Sequence, residues 1–83
     1  MPRTTNNNTI RINVHGKYVE DALQAVRNAI ATAPRTTEKV VVIHGYNSGT
    51  AIKEALRRLH NPRIIEIAPS LLNPGETVIW LKR

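Results

Sequence analysis

Ile10-Arg11-Ile12-Asn13-Val14-His15-Gly16 and Val40-Val41-Val42-Ile43-His44-Gly45 are two β-branched runs that both end in His-Gly. In the first, Ile10, Ile12 and Val14 alternate with Arg11 and Asn13, the pattern of a half-buried strand over residues 10–14. The second is apolar on both faces, as a central parallel strand over residues 40–43 requires. In a parallel α/β sheet the carboxyl ends of strands and the helix N-termini that follow them open onto one crevice, where ligands bind. His15 and His44 are 29 positions apart, about the length of one βαβ unit, and neighbouring strands lie about 4.8 Å apart. Two imidazoles are therefore expected on one edge of the sheet. A lone strand-end histidine more often only bonds to backbone, but its repetition with glycine following both times favours a shared site.

Downstream of the first run, Val19, Ala22, Leu23, Val26, Ile30 and Ala33 form the i, i+3, i+4, i+7 stripe of an amphipathic helix. Glu20 and Asp21 suit its first turn, at the positive end of the helix dipole, and Pro34 ends it. Asn47, Ser48, Gly49 and Thr50 offer caps for a second helix with the stripe Ile52, Ala55, Leu56 and Leu59. Asn61-Pro62 closes that helix, with His60 as a dipole partner at its C-terminus. Residues 63–67 read as a third strand, Asn73-Pro74-Gly75 as a turn, and residues 76–81 as a fourth strand. The order is βαβαββ. Right-handed crossovers that step the same way put both helices on one face, predicting an α/β two-layer sandwich with a mixed four-stranded sheet. Val78 and Trp80 would then share one side of the last strand, and Ile79 and Leu81 the other. The partly apolar open face allows a monomer or a weak dimer.

Eighty-three residues make one domain, and a chain of this size buries only about 60–65% of its unfolded surface. Residues 1–8 are polar and Asn-rich and read as a flexible arm carrying Arg3, with residues 9–83 forming the domain. The absence of cysteine excludes disulfides, zinc-thiolate sites and thiol nucleophiles, and fits a cytoplasmic protein. No apolar stretch approaches the roughly 20 residues needed to span a bilayer, and the polar start is no signal peptide, so no membrane partner is expected. Twelve Lys or Arg against six Asp or Glu give a net charge of +6, which suits a polyanionic partner, nucleic acid first.

At Ile12-Asn13-Val14-His15-Gly16, followed by Val19-Glu20-Asp21-Ala22-Leu23 and then by His44-Gly45, the chain resembles the Smr (small MutS-related) domain. That family has a Leu-Asp-Leu-His-Gly type motif, a Val-Glu-Glu-Ala-Leu type helix start and a His-Gly-x-Gly loop, and the likeness runs from about residue 10 to residue 82. The resemblance implies a fold similar to the C-terminal domain of bacterial translation initiation factor three, nucleic-acid binding and, in some members, endonuclease activity. Two positions depart from the pattern. Asn13 stands where the family has its Asp and cannot act as a base or an anionic ligand. Asn47 stands where the second motif has its next Gly, and of non-glycine residues it best tolerates a left-handed backbone.

The segment Gly45, Tyr46, Asn47, Ser48 and Gly49 joins a buried strand to a helix N-terminus, where free N–H groups attract an anion such as phosphate. It is neither a Walker loop nor a dinucleotide fingerprint. Lys17, after the first His-Gly, and Lys53, in the second helix, are within reach of a nucleic-acid backbone, and Tyr46 of an unpaired base. Arg35, Lys39, Arg57 and Arg58 could extend the basic track. Two tyrosines and one tryptophan do not make an aromatic platform, so backbone contacts should dominate, with RNA somewhat ahead of DNA. His15 and His44 would be the catalytic pair of an endonuclease, one taking a 2′-hydroxyl proton and the other protonating the leaving oxygen. Neither His-Gly motif holds a carboxylate for a divalent metal, and no cofactor is expected. The remaining alternative is a protein-interaction module using the open sheet face.

Overall fold

The computed structural model describes residues 8–46 and 50–82. The elements follow the expected order: β1 (Thr9–Asn13), α1 (Val19–Thr32), β2 (Lys39–Ile43), α2 (Thr50–Leu56), β3 (Ile64–Pro69) and β4 (Glu76–Leu81). They form one four-stranded mixed sheet in the order β1-β2-β4-β3. β1 and β2 are parallel, while β4 runs antiparallel to both its neighbours, β2 and β3. β3 is thus parallel to β2 with β4 inserted between them. The two crossovers step in the same direction, and both helices share one face.

Alternation decides what that face buries. Val14, Val40, Val42, Ile79 and Leu81 form one cluster with Ala22, Leu23, Val26 and Ile30 of α1 and with Ile52 and Leu56 of α2. The α1 stripe is the expected one, and its C-cap is Ala33, directly before Pro34. Arg63 completes that end: its guanidinium donates to the carbonyls of Ile30 and Ala33 at 2.8 Å and of Pro34 at 3.1 Å. The last turn of α1 carries no basic residue of its own, so a side chain distant in sequence satisfies its orphan carbonyls.

Local details differ from the sequence pattern. α2 ends at Leu56, and its tail tightens into i→i+3 bonds from Arg58 N to Ala55 O and from Leu59 N to Leu56 O. His60 therefore lies four residues beyond the helix, not on its last turn. β3 is shifted to residues 64–69, with a register irregularity between Ile64 and Glu66 that leaves Ile65 exposed. A bulge and the terminal Pro69 are devices that blunt an edge strand. Asn8, assigned from the sequence to the arm, accepts bonds from the N–H groups of Glu38 and Lys39. The rest of that arm lies outside the described residues, as does Arg83.

On the face away from the helices stand Arg11, Lys39, Val41, Glu76, Val78 and Trp80. Val78 and Trp80 do share this face, opposite Ile79 and Leu81. Part of it is covered by the chain's own side chains: Lys39 Nζ lies 4.9 Å from the Trp80 ring centroid, and Arg11 reaches across β2 to Glu76 at 2.9 Å. Among the described residues no helix is long and apolar enough to cross a membrane.

Candidate functional site

Both His-Gly pairs lie at the carboxyl ends of the parallel strands, as the repeat predicts, but their backbones turn differently. After β1 the Lys17 N–H bonds the Val14 carbonyl at 3.0 Å, and Gly16 takes φ +83°. A positive φ at the third of four residues is the type II turn, in which an L side chain is strained. His15 occupies the second position and is exposed. Its N–H is held by the side-chain oxygen of Asn13 at 2.9 Å. That Asx-type bond needs only an acceptor oxygen, so Asn13 keeps the positioning role of an aspartate while lacking its charge.

After β2 the chain is clamped by the β4 approach. The N–H groups of His44 and Gly45 both donate to the Gly75 carbonyl, at 2.9 and 3.0 Å. Gly75 is itself set by the Asn73 side chain, which accepts its N–H at 2.9 Å. A Cβ on Gly75 would stand 3.2 Å from Gly45 C and 3.3 Å from Tyr46 N, both backbone atoms, so a side chain there would press the two loops a few tenths of an ångström apart.

The two histidines meet at Gly45. Its φ is +92°, and a Cβ there would collide with the His15 ring, standing 3.2 Å from Nε2. The missing side chain is thus the seat of the His15 imidazole. His44 touches the same residue from within. It is 1% exposed, with Nδ1 2.9 Å from the Gly45 carbonyl and Nε2 2.8 Å from Thr77 Oγ1. Because a carbonyl can only accept, Nδ1 carries a proton and donates to it, while Nε2 shares a hydrogen bond with the Thr77 hydroxyl. Both nitrogens are occupied. In this arrangement His44 holds the Gly45 loop, and His15 alone presents an open imidazole.

Around Gly45 a cleft of about 390 Å³ is lined by His44, Tyr46, Thr50, Lys53, Glu54 and Pro74. Lys53 is half-buried at its wall, and Tyr46 is 70% exposed. Lys17 is exposed on the neighbouring turn, followed by Tyr18 at 84% exposure as the N-cap residue of α1. The one carboxylate of the cleft, Glu54, has Arg57 at 3.8 Å, an exposed pair of little energetic weight. Asn47, Ser48 and Gly49, expected to complete an anion cradle, lie outside the described residues. Among the described residues no three His, Cys, Asp or Glu side chains group to hold a metal ion.

Four participants escaped the sequence pattern. Thr77 carried one signal, a hydroxyl at a core-facing position of a strand whose neighbours on that face are Ile79 and Leu81. Asn73 and Gly75 were legible as a turn but not as the clamp on His44 and Gly45. Tyr18 had no distinguishing signal, since a tyrosine before a helix is as often folded onto it.

Fold and edge together define a small two-layer α/β domain with a basic, histidine-bearing crevice at the ends of its parallel strands. The Smr domain model matches residues 12–82, and the chain belongs to the Smr domain family, which is known for nucleic-acid binding and nicking endonuclease activity. Among solved structures it is similar to the Smr domain of Thermus thermophilus MutS2, with 27% sequence identity and a TM-score of 0.65 over 89% of this chain and 99% of that one. Comparison with curated protein sequences finds no match.

Proposed function

We propose that this domain binds nucleic acid at the strand-end edge and prefers single-stranded RNA to duplex DNA. The observation that carries the reading is the His15 ring lying against Gly45, which sets the β1–α1 turn, with its exposed Lys17 and Tyr18, beside the cleft that holds Tyr46 and Lys53, on a chain of net charge +6. Lys17 and Lys53 neutralise phosphates, which supply most sequence-independent affinity. Tyr46 and Tyr18 stack on unpaired bases, an interaction worth about 1–3 kcal/mol each and open only to splayed single strands. His15 is a donor and acceptor beside the backbone and suits a 2′-hydroxyl.

A cleavage reading has the exposed imidazole of His15 in its favour. The two-histidine scheme with His44 needs a second free ring nitrogen, and both of His44's are engaged. Cleavage by the native chain is accordingly slow, with His15 as its general base and Asn13 unable to add charge behind it.

Labelled single-stranded RNA, hairpin RNA, and supercoiled and branched DNA, each with and without Mg²⁺, separate binding from cutting in one set of gels. Tightest binding is expected for single-stranded RNA, with affinity falling steeply as salt rises. Lys17→Ala and Lys53→Ala should each reduce the log–log salt slope by about 0.7. A slope near zero for every substrate would overturn the reading in favour of a protein partner.

A further inference from the structure

A second basic feature lies on the helical layer. Between α1 and the end of α2 runs a groove of about 410 Å³ whose floor includes Leu23 and Leu59 and whose lining carries Arg27, Arg58 and His60, with Glu20 as its one carboxylate. Among the described residues neither Arg27 nor Arg58 has a carboxylate within ion-pair distance, whereas their neighbour Arg57 has Glu54. Two guanidiniums contributed by separate segments thus line one groove, and among the described residues no carboxylate is paired to either. An anion in the groove meets positive charge from both segments, and the planar fork of donors matches phosphate oxygens.

The same two helices border the groove and the strand-end edge. Lys17 and Tyr18 immediately precede Val19 and Glu20, which line its start, while α2 offers Lys53 to the strand-end cleft and Ala55 to the groove. From Val19 to Arg27 a helix rises about 12 Å, the length of roughly three nucleotides at duplex rise. We propose that the α1–α2 groove is a second phosphate-backbone contact, over which a bound strand continues from the strand-end edge across the helical layer. The assignment rests on the nucleic-acid reading above and adds the path and minimum length of the bound strand.

The test uses the full chain and single-stranded RNA of 4 and 12 nucleotides, with affinity measured over a salt series and circular dichroism to verify folding of each variant. For the 12-mer, Arg27→Ala combined with Arg58→Ala should lower the log–log slope by about 1.4, two phosphates at about 0.7 each. The same variant should leave the 4-mer unchanged. Arg27→Lys with Arg58→Lys should restore the 12-mer slope, and Glu20→Gln should tighten the 12-mer only. Lys17→Ala with Lys53→Ala should weaken both lengths. An unchanged 12-mer slope in the arginine variant, while the lysine variant still weakens both lengths, overturns the groove and leaves the edge standing. The converse result, with only the arginine variant affected, overturns the edge and keeps the groove as a binding site. Binding of polyglutamate as tight as that of the 12-mer, lost on the same arginine substitutions, would assign the groove to an acidic protein partner and overturn the proposal.

Discussion

His15-Gly16 and His44-Gly45 are the same dipeptide at the ends of adjacent parallel strands, and they do opposite things. His15 stands at the end of an edge strand, in a turn that leaves it exposed with its ring lying against Gly45. His44 follows a strand paired on both sides, and β4 brings Thr77 to its ring and Gly75 to its backbone. The glycines differ too. Gly16 has nothing within 4 Å of the side chain it lacks, whereas Gly45 leaves the space that the His15 ring fills. One repeat therefore encodes a presented group and its support, and the neighbours of each strand decide which is which.

The largest effect expected from this contrast is on stability. His44→Ala leaves a cavity and strips the buried Thr77 hydroxyl of its partner, a loss of about 2–4 kcal/mol. Urea denaturation should register it as a marked fall in midpoint, and an unchanged midpoint would erase the distinction between the two histidines. Gly45→Ala comes next, combining about 1–2 kcal/mol for a left-handed alanine with displacement of the His15 ring. Pairing it with His15→Ala should recover the second part, a coupling that a double-mutant cycle isolates. Gly16→Ala should cost only the backbone share, about 1–2 kcal/mol, with no ring to displace.

His15→Ala itself should change stability by less than about 0.5 kcal/mol, as exposed substitutions do. It should weaken single-stranded RNA binding about fivefold, the equivalent of one polar contact near 1 kcal/mol. A loss of stability as large as that of His44→Ala would refute its role as the presented group. The smallest structural effect belongs to Asn13→Asp, because an aspartate also accepts the His15 N–H. Binding should be nearly unchanged, while single-turnover RNA cleavage rises from a slow baseline. Strong native cleavage that survives both His15→Ala and His44→Ala would show that neither the missing acid nor the paired histidines carry the chemistry.

Much of this was legible along the chain. The alternation of Ile10, Ile12 and Val14, the α1 stripe ending at Pro34, and the apolar run at Val40 are local periodicities, and burial followed them. The Asn73-Pro74-Gly75 turn was legible for the same reason. α2 was overextended because Leu59 continues the apolar stripe although the backbone has already tightened into i→i+3 bonds. Lys39 was expected in the basic track, yet it stacks over Trp80, a partner that only the β2–β4 register supplies.

What the sequence determined by itself is the set of elements, their order and the edge at which both His-Gly pairs emerge, because each depends on side-chain spacing along a short stretch. Tertiary structure alone decided that β4 lies between β2 and β3. That placement buries His44 against Thr77, clamps its loop to Gly75 and leaves β1 at the edge with His15 free. It also sets Arg63 on the end of α1. These are contacts between residues about 30 positions apart or more, and no local pattern encodes them, because their free energy exists only once the sheet has closed around its inserted strand.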